Sequence, residues 1–134
     1  MSLDTTPLSN AIDRLAEGLR RYNLDTSDEQ IRDGLIQRFE FVYEASHKML
    51  RRYLEQTAAT PDAFDMMVFA DVIRSAGAKG LLRGGWPEWR RFREMRARMS
   101  HAYDASIAID VGAGIPEFLA EALHLLAQLK RRLP

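Results

Sequence analysis

The segment Arg96-Ala97-Arg98-Met99-Ser100-His101-Ala102-Tyr103 holds the residue types best suited to chemistry. An arginine precedes a histidine by five residues, and a tyrosine follows the histidine by two. Imidazole titrates near neutrality, so His101 can take a proton from a ribose 2′-hydroxyl or return one to a leaving oxygen. Arg96 carries a permanent planar cation able to hold a phosphate while negative charge builds on it. Together these groups suit cleavage of RNA without a metal. DNA lacks the internal 2′-hydroxyl and would be spared. The plainer reading is a pair of surface residues, or a histidine hydrogen-bonded to a backbone carbonyl.

Geometry attaches a condition to the chemistry. At ~100° per residue, five residues leave Arg96 and His101 about 140° apart on a straight helix. A shared site then needs a bend, expected at Arg98 to Ser100 with Ser100 capping a restarted helix. It also fits a two-fold dimer that gathers these side chains from both subunits into one cleft. We expect both.

The surrounding stretch is basic. Residues 83–98 hold Arg83, Arg90, Arg91, Arg93, Arg96 and Arg98 against Glu88 and Glu94, six minus two or +4. The whole chain has 19 basic and 19 acidic side chains, so the remainder carries −4. Arginine forks grip phosphate oxygens, and Trp86, Trp89 and Phe92 lie between them. Arg90, Arg91, Arg93 and Arg98 are thus candidate RNA-phosphate contacts. The alternative is a solvated helix face beside two core tryptophans. Glu40, Glu44, His47 and Arg51 recur at helical spacing on another segment. A carboxylate there can orient Arg96 or His101 from behind. Equally, the row is a set of surface pairs such as Glu44 with Lys48.

The elements that must position these groups read as all-α. A first helix starts near Thr6-Pro7 and carries Leu8, Ile12, Leu15, Leu19 and Tyr22 on one stripe. A second runs from a Ser27–Gln30 capping box to about Thr57, with Ile31, Leu35, Phe39, Val42, Ser46, Met49 and Tyr53 facing inward. A third starts at Thr60-Pro61 and buries Phe64, Met67, Val68, Val72 and Ile73. Leu81 to Gly85 reads as a loop, and a fourth helix begins near Pro87. Gly112 and Gly114 should break the chain, with Pro116 opening a last helix on the stripe Phe118, Leu119, Ala122, Leu123, Leu126 and Leu129. The spacing predicts an antiparallel four- to five-helix bundle, a single domain over 1–134.

Composition removes several function classes. The absence of cysteine excludes disulfides, thiolate metal sites and a cysteine nucleophile, and suits a reducing cytoplasm. With three histidines, a zinc site is not expected. Gly77, Gly80, Gly84 and Gly85 form no phosphate loop, so no cofactor is expected on this chain. No apolar run approaches the ~20 residues of a membrane span, and the N-terminus lacks the apolar core of a signal peptide.

Two stretches carry a resemblance. Ile36-Gln37-Arg38-Phe39-Glu40-Phe41, followed by Glu44, Lys48, Leu50, Tyr53 and Leu54, resembles the second helix of the nucleotidyltransferase substrate-binding protein family. Arg96, His101 and Tyr103 are similar to its late motif. This family belongs to the HEPN superfamily, with HepT-type toxins among its relatives. The resemblance implies a HEPN bundle that dimerises and a metal-independent endoribonuclease with Arg96 and His101 catalytic. It places Glu40, Glu44 and Ser100 behind them. It further implies a minimal nucleotidyltransferase partner, an MntA-type antitoxin, that transfers AMP to Tyr103. The family's older name implies another role, an accessory subunit that recruits substrate to that enzyme. One position departs from the pattern: the family usually carries a polar residue after the motif arginine, and here it is Ala97.

Overall fold

The protein is described from a computed structural model over residues 3–57 and 68–133. Five helices follow in order: α1 (Thr6–Leu24), α2 (Glu29–Thr57), α3 (Phe69–Ala78), α4 (Trp86–Arg98) and α5 (Ala105–Arg132). A 3-10 turn, Met99–His101, joins α4 to α5. The described residues contain no strand. The short link between α1 and α2 returns the chain antiparallel, and α5 packs against both. The expected helical bundle is thus what forms.

The apolar stripes converge as their periods require. Leu8, Ile12 and Leu15 of α1 and Leu35, Phe39, Val42, Leu50 and Leu54 of α2 are essentially inaccessible. Phe39, Phe92, Trp89 and Phe118 meet edge to face, with Phe39 and Phe118 centroids 4.8 Å apart. Burial pushes the phenol of Tyr43 in this cluster up to about 12, so the ring stays neutral. Trp89 is a core residue; Trp86 is half-buried, its edge on Phe69 and the Arg74 guanidinium above it.

Helix starts are set by carboxylates where hydroxyls were expected. The Thr6 amide donates to Asp4 Oδ1 at 2.9 Å, while Thr5 makes no side-chain cap. α2 begins at Glu29, and the Ile31 amide donates to Asp28 Oδ1. Ser27 is not its cap, because its amide and hydroxyl both donate to Asp25 Oδ1. The Ser27–Gln30 box therefore does not form. The expected start of the third helix, Thr60-Pro61, with Phe64 and Met67, lies outside the described residues. Val68 is exposed, the reverse of its expected burial, because it precedes the first turn of α3.

The largest departure is α5, unbroken through Gly112, Gly114 and Pro116. Proline within a helix costs about 3 kcal/mol. Val111, Ile115, Phe118, Leu125 and Leu129 are fully buried along this helix, each worth about 1.5–3 kcal/mol, so burial outweighs the breaker. Gly114 has a packing role, since a Cβ there would lie 2.6 Å from the Met95 sulfur on α4. At Gly112 a Cβ would meet the Tyr22 ring at an ordinary 3.7 Å. Gly112→Ala should therefore stabilise the protein by about 0.5–1 kcal/mol, read by urea denaturation. Leu123, placed on the buried stripe, is exposed; Leu125 takes the inward position.

One buried carboxylate locks the start of α4. Glu121 on α5 accepts from the Arg83 amide at 3.0 Å, the Gly84 amide at 3.1 Å and Trp89 Nε1 at 3.1 Å. Removing it strands those donors, so Glu121→Ala should cost about 3 kcal/mol in denaturant unfolding, with Glu121→Gln losing less. The sequence carried a signal for this residue: a lone acid on the apolar stripe, three after Phe118 and four before Leu125.

Candidate functional site

The predicted break after α4 is present. The α-helix stops at Arg98, and Met99–His101 tightens into a 3-10 turn whose Ala102 amide donates to the Met99 carbonyl at 3.1 Å. Ser100 does not cap a restart. Its hydroxyl donates back to the Ala97 carbonyl at 3.3 Å, and Asp104 caps α5 by accepting from the Ser106 amide at 2.9 Å. The Ser106 hydroxyl and amide hold the Asp104 carboxyl below its usual range. The turn, tied back to α4 by the Ser100 hydroxyl and followed by the Asp104 cap, projects His101 and Tyr103.

Arg96 turns toward α2. One Nη lies 2.9 Å from Glu40 Oε2, and Nε donates to Glu44 Oε1 at 3.1 Å. Glu40 and Glu44 recur one helical turn apart, so both reach the same guanidinium. About a third of the Arg96 side chain stays exposed (37 %), leaving room for a third, anionic partner. His101 is exposed at the end of the turn, with its ring centroid 6.2 Å from that of Tyr103. Tyr103 is 87 % exposed. Among the described residues, no hydrogen bond or ion pair joins Arg96 to His101. The structure therefore assembles two halves, Arg96 with its carboxylates and His101 with Tyr103.

The arginine stretch is less bare than its local count implies. Arg90 pairs with Glu94 at 3.4 Å, Arg91 with Glu117, and Arg98 with Asp110 at 3.4 Å. Arg93 lies over the Phe69 ring at 6.0 Å. The count of +4 included only Glu88 and Glu94, whereas folding brings up carboxylates from α2 and α5. The side chains of Arg90, Arg91 and Arg98 remain about half exposed or more, and such exposed pairs are worth only about 0–1 kcal/mol, so phosphate can displace them.

One further polar group, Arg32, escaped the sequence reading, and His47, read there as part of a helix-face row, takes a half-buried place. Arg32 is buried, with Nε donating to the Tyr22 hydroxyl at 3.2 Å and an Nη to the Thr26 carbonyl at 2.7 Å. Its place on the stripe of Leu35, Ile36 and Phe39 was the available signal. His47 packs edge-on against Phe69 at 4.4 Å, with Nε2 buried and unpartnered among the described residues. Burial, then the Arg51 charge, keeps its pKa below the ordinary value. Among the described residues, no three His, Asp or Glu side chains gather to hold a metal ion. No helix among them is long and apolar enough to cross a membrane.

Comparison with known proteins bears on the family and the fold. Residues 3–131 match the family described as nucleotidyltransferase substrate binding protein like. A Haemophilus influenzae protein named "Probable ribonuclease HepT" is 44 % identical over 99 residues, covering 74 % of this chain and 67 % of that protein. A solved Haemophilus influenzae structure, described as the fold of a substrate binding domain of a nucleotidyltransferase, superposes with a TM-score of 0.88. It is 35 % identical and covers 95 % of this chain and 99 % of that one. With a helical bundle and a family match over nearly its full length, this chain belongs to the nucleotidyltransferase substrate-binding protein family, and is HepT-like within it.

Proposed function

We propose that the protein is a metal-independent endoribonuclease, the toxin of a toxin–antitoxin pair acting in the cytoplasm. The observation that carries this reading is the capped turn. It holds an exposed imidazole five residues beyond a guanidinium that two carboxylates orient but leave partly open. His101 takes the proton from a ribose 2′-hydroxyl, the 2′-oxygen attacks phosphorus, and the P–O5′ bond breaks. A proton returned to O5′ completes the step, leaving a 2′,3′-cyclic phosphate and a 5′-hydroxyl. Arg96 neutralises the phosphorane oxygens, with Glu40 and Glu44 fixing its plane. Arg90, Arg91, Arg93 and Arg98 bind flanking phosphates.

Because the two halves do not meet within one chain, the working cleft is that of a two-fold homodimer, each protomer supplying its turn across the axis. The regulator in this reading is a minimal nucleotidyltransferase that moves AMP from ATP onto the Tyr103 hydroxyl, releasing pyrophosphate. The adduct puts bulk and negative charge at the mouth of the cleft, where RNA phosphate must enter. Intact mass after co-expression with the genomic neighbour tests this. A gain of one or more adenylyl groups, absent from Tyr103→Phe, supports it; an unmodified chain in a stable complex opposes it.

The carboxylate partners of Arg90, Arg91, Arg96 and Arg98 favour one second reading, an accessory subunit that presents substrate to the nucleotidyltransferase without cutting it. Arginine-dependent RNA binding with no cleavage by the purified chain would select it.

A further inference from the structure

A groove of about 350 Å³ opens beside Tyr103, lined by Asp33, Ile36 and Gln37 of α2 and by Met99, Ala102 and Tyr103 of the turn. Its floor is apolar: Ile36 is nearly inaccessible, and Met99 and Ala102 are half-buried. Its rim is polar. Among the described residues, neither the Asp33 carboxylate nor the Gln37 amide makes a hydrogen bond or an ion pair.

Flat apolar walls, an aromatic ring and two unspent polar groups are the parts from which single-stranded RNA bases are read. The volume suits one base. The carboxylate disfavours a phosphate and selects an edge that presents hydrogen-bond donors. Guanine alone offers two adjacent donors, N1–H and the N2 amino group, to one carboxylate. Its O6 then faces an amide donor, which Gln37 supplies. Tyr103 also stands 6.2 Å from the His101 ring, so a base held here puts its own phosphodiester within reach of the imidazole.

We infer that this groove is a nucleobase subsite for guanine, next to the scissile bond of the RNA substrate. Asp33 and Gln37 read the base edge, and Tyr103 and Met99 cover its faces. The inference rests on the ribonuclease reading and names the base that the site prefers. It also gives Tyr103 a second part as a wall of the substrate pocket.

The test is equilibrium binding of fluorescent oligouridylates to full-length His101→Ala protein, which cannot cut them. One carries a single guanosine, one carries inosine at that position, and one is uridine throughout. The guanosine oligonucleotide should bind about tenfold tighter than the uridine one, with inosine between them. Adding Asp33→Asn should erase the difference, because an amide cannot accept from both guanine donors. Equal binding of all three, or a preference that Asp33→Asn leaves intact, overturns the subsite. So does an Asp33→Asn protein that sediments as monomer where the parent is a dimer, since the groove would then belong to a second copy. Wild-type cleavage is followed separately. Selective binding without cleavage sinks the ribonuclease reading and keeps the subsite; cleavage without base preference does the reverse.

Discussion

His101→Ala should reduce RNA cleavage by a factor on the order of 10²–10⁴, the range contributed by a positioned general acid or base. The fold should not change. His101 is exposed, and among the described residues its ring makes no hydrogen bond or ion pair and stands 6.2 Å from that of Tyr103. Circular dichroism and the unfolding midpoint should match the parent, so the loss is chemical. RNA affinity should also persist, since the arginines that hold phosphate are untouched. A histidine variant that folds, binds and cuts at the parental rate removes the imidazole from the mechanism.

Arg96→Ala should have an effect of similar size with a different signature. A preorganised cation at the phosphorane is worth roughly 10²–10³ in rate, so both cleavage and RNA affinity should fall. Arg96→Lys should recover little, because an ammonium cannot bond Glu40 and Glu44 while presenting a planar edge to phosphate. Stability should drop by less than about 1 kcal/mol, since the guanidinium is more than a third exposed and its two pairs are screened by solvent. Weakened binding in Arg96→Ala beside intact binding in His101→Ala separates the phosphate clamp from the proton carrier. Single-turnover kinetics against a binding titration reads both.

Much of this architecture is legible in the residues, and the exceptions share causes. Stripes such as Leu8, Ile12 and Leu15, or Phe39, Val42 and Met49, identify buried faces because burial of large side chains dominates the energy. Prolines 7 and 87 mark real first turns, where no amide is lost. Pro116 and Gly112 mislead by the same energetics: a local preference of a few kcal/mol yields to a helix whose inward face is already committed. Asp28 and Asp104 cap where Ser27 and Ser100 were expected, because Ser27 is already held by Asp25 and the Ser100 hydroxyl turns back to the Ala97 carbonyl.

The site was legible in its parts and illegible in its charge. The five-residue spacing of Arg96 and His101 demands a break, and the chain breaks after Arg98. Glu40 and Glu44 lie 52 or more residues from Arg96 in sequence and within hydrogen-bond reach of it in space. No count over a local window could include them, nor Glu117 beside Arg91 or Asp110 beside Arg98. Neutralisation by distant elements is a tertiary property. It turns an apparent cationic surface into a set of oriented, exchangeable pairs.

The decisive measurement is cleavage of an end-labelled RNA by the purified, partner-free protein in excess chelator, beside the same RNA with a single 2′-deoxy substitution at the cut position. Proton abstraction from the 2′-oxygen predicts cutting of the first, with a 2′,3′-cyclic phosphate at the new end, and no cutting at the substituted site. Equal cutting of both strands would contradict the account, as would an intact first strand.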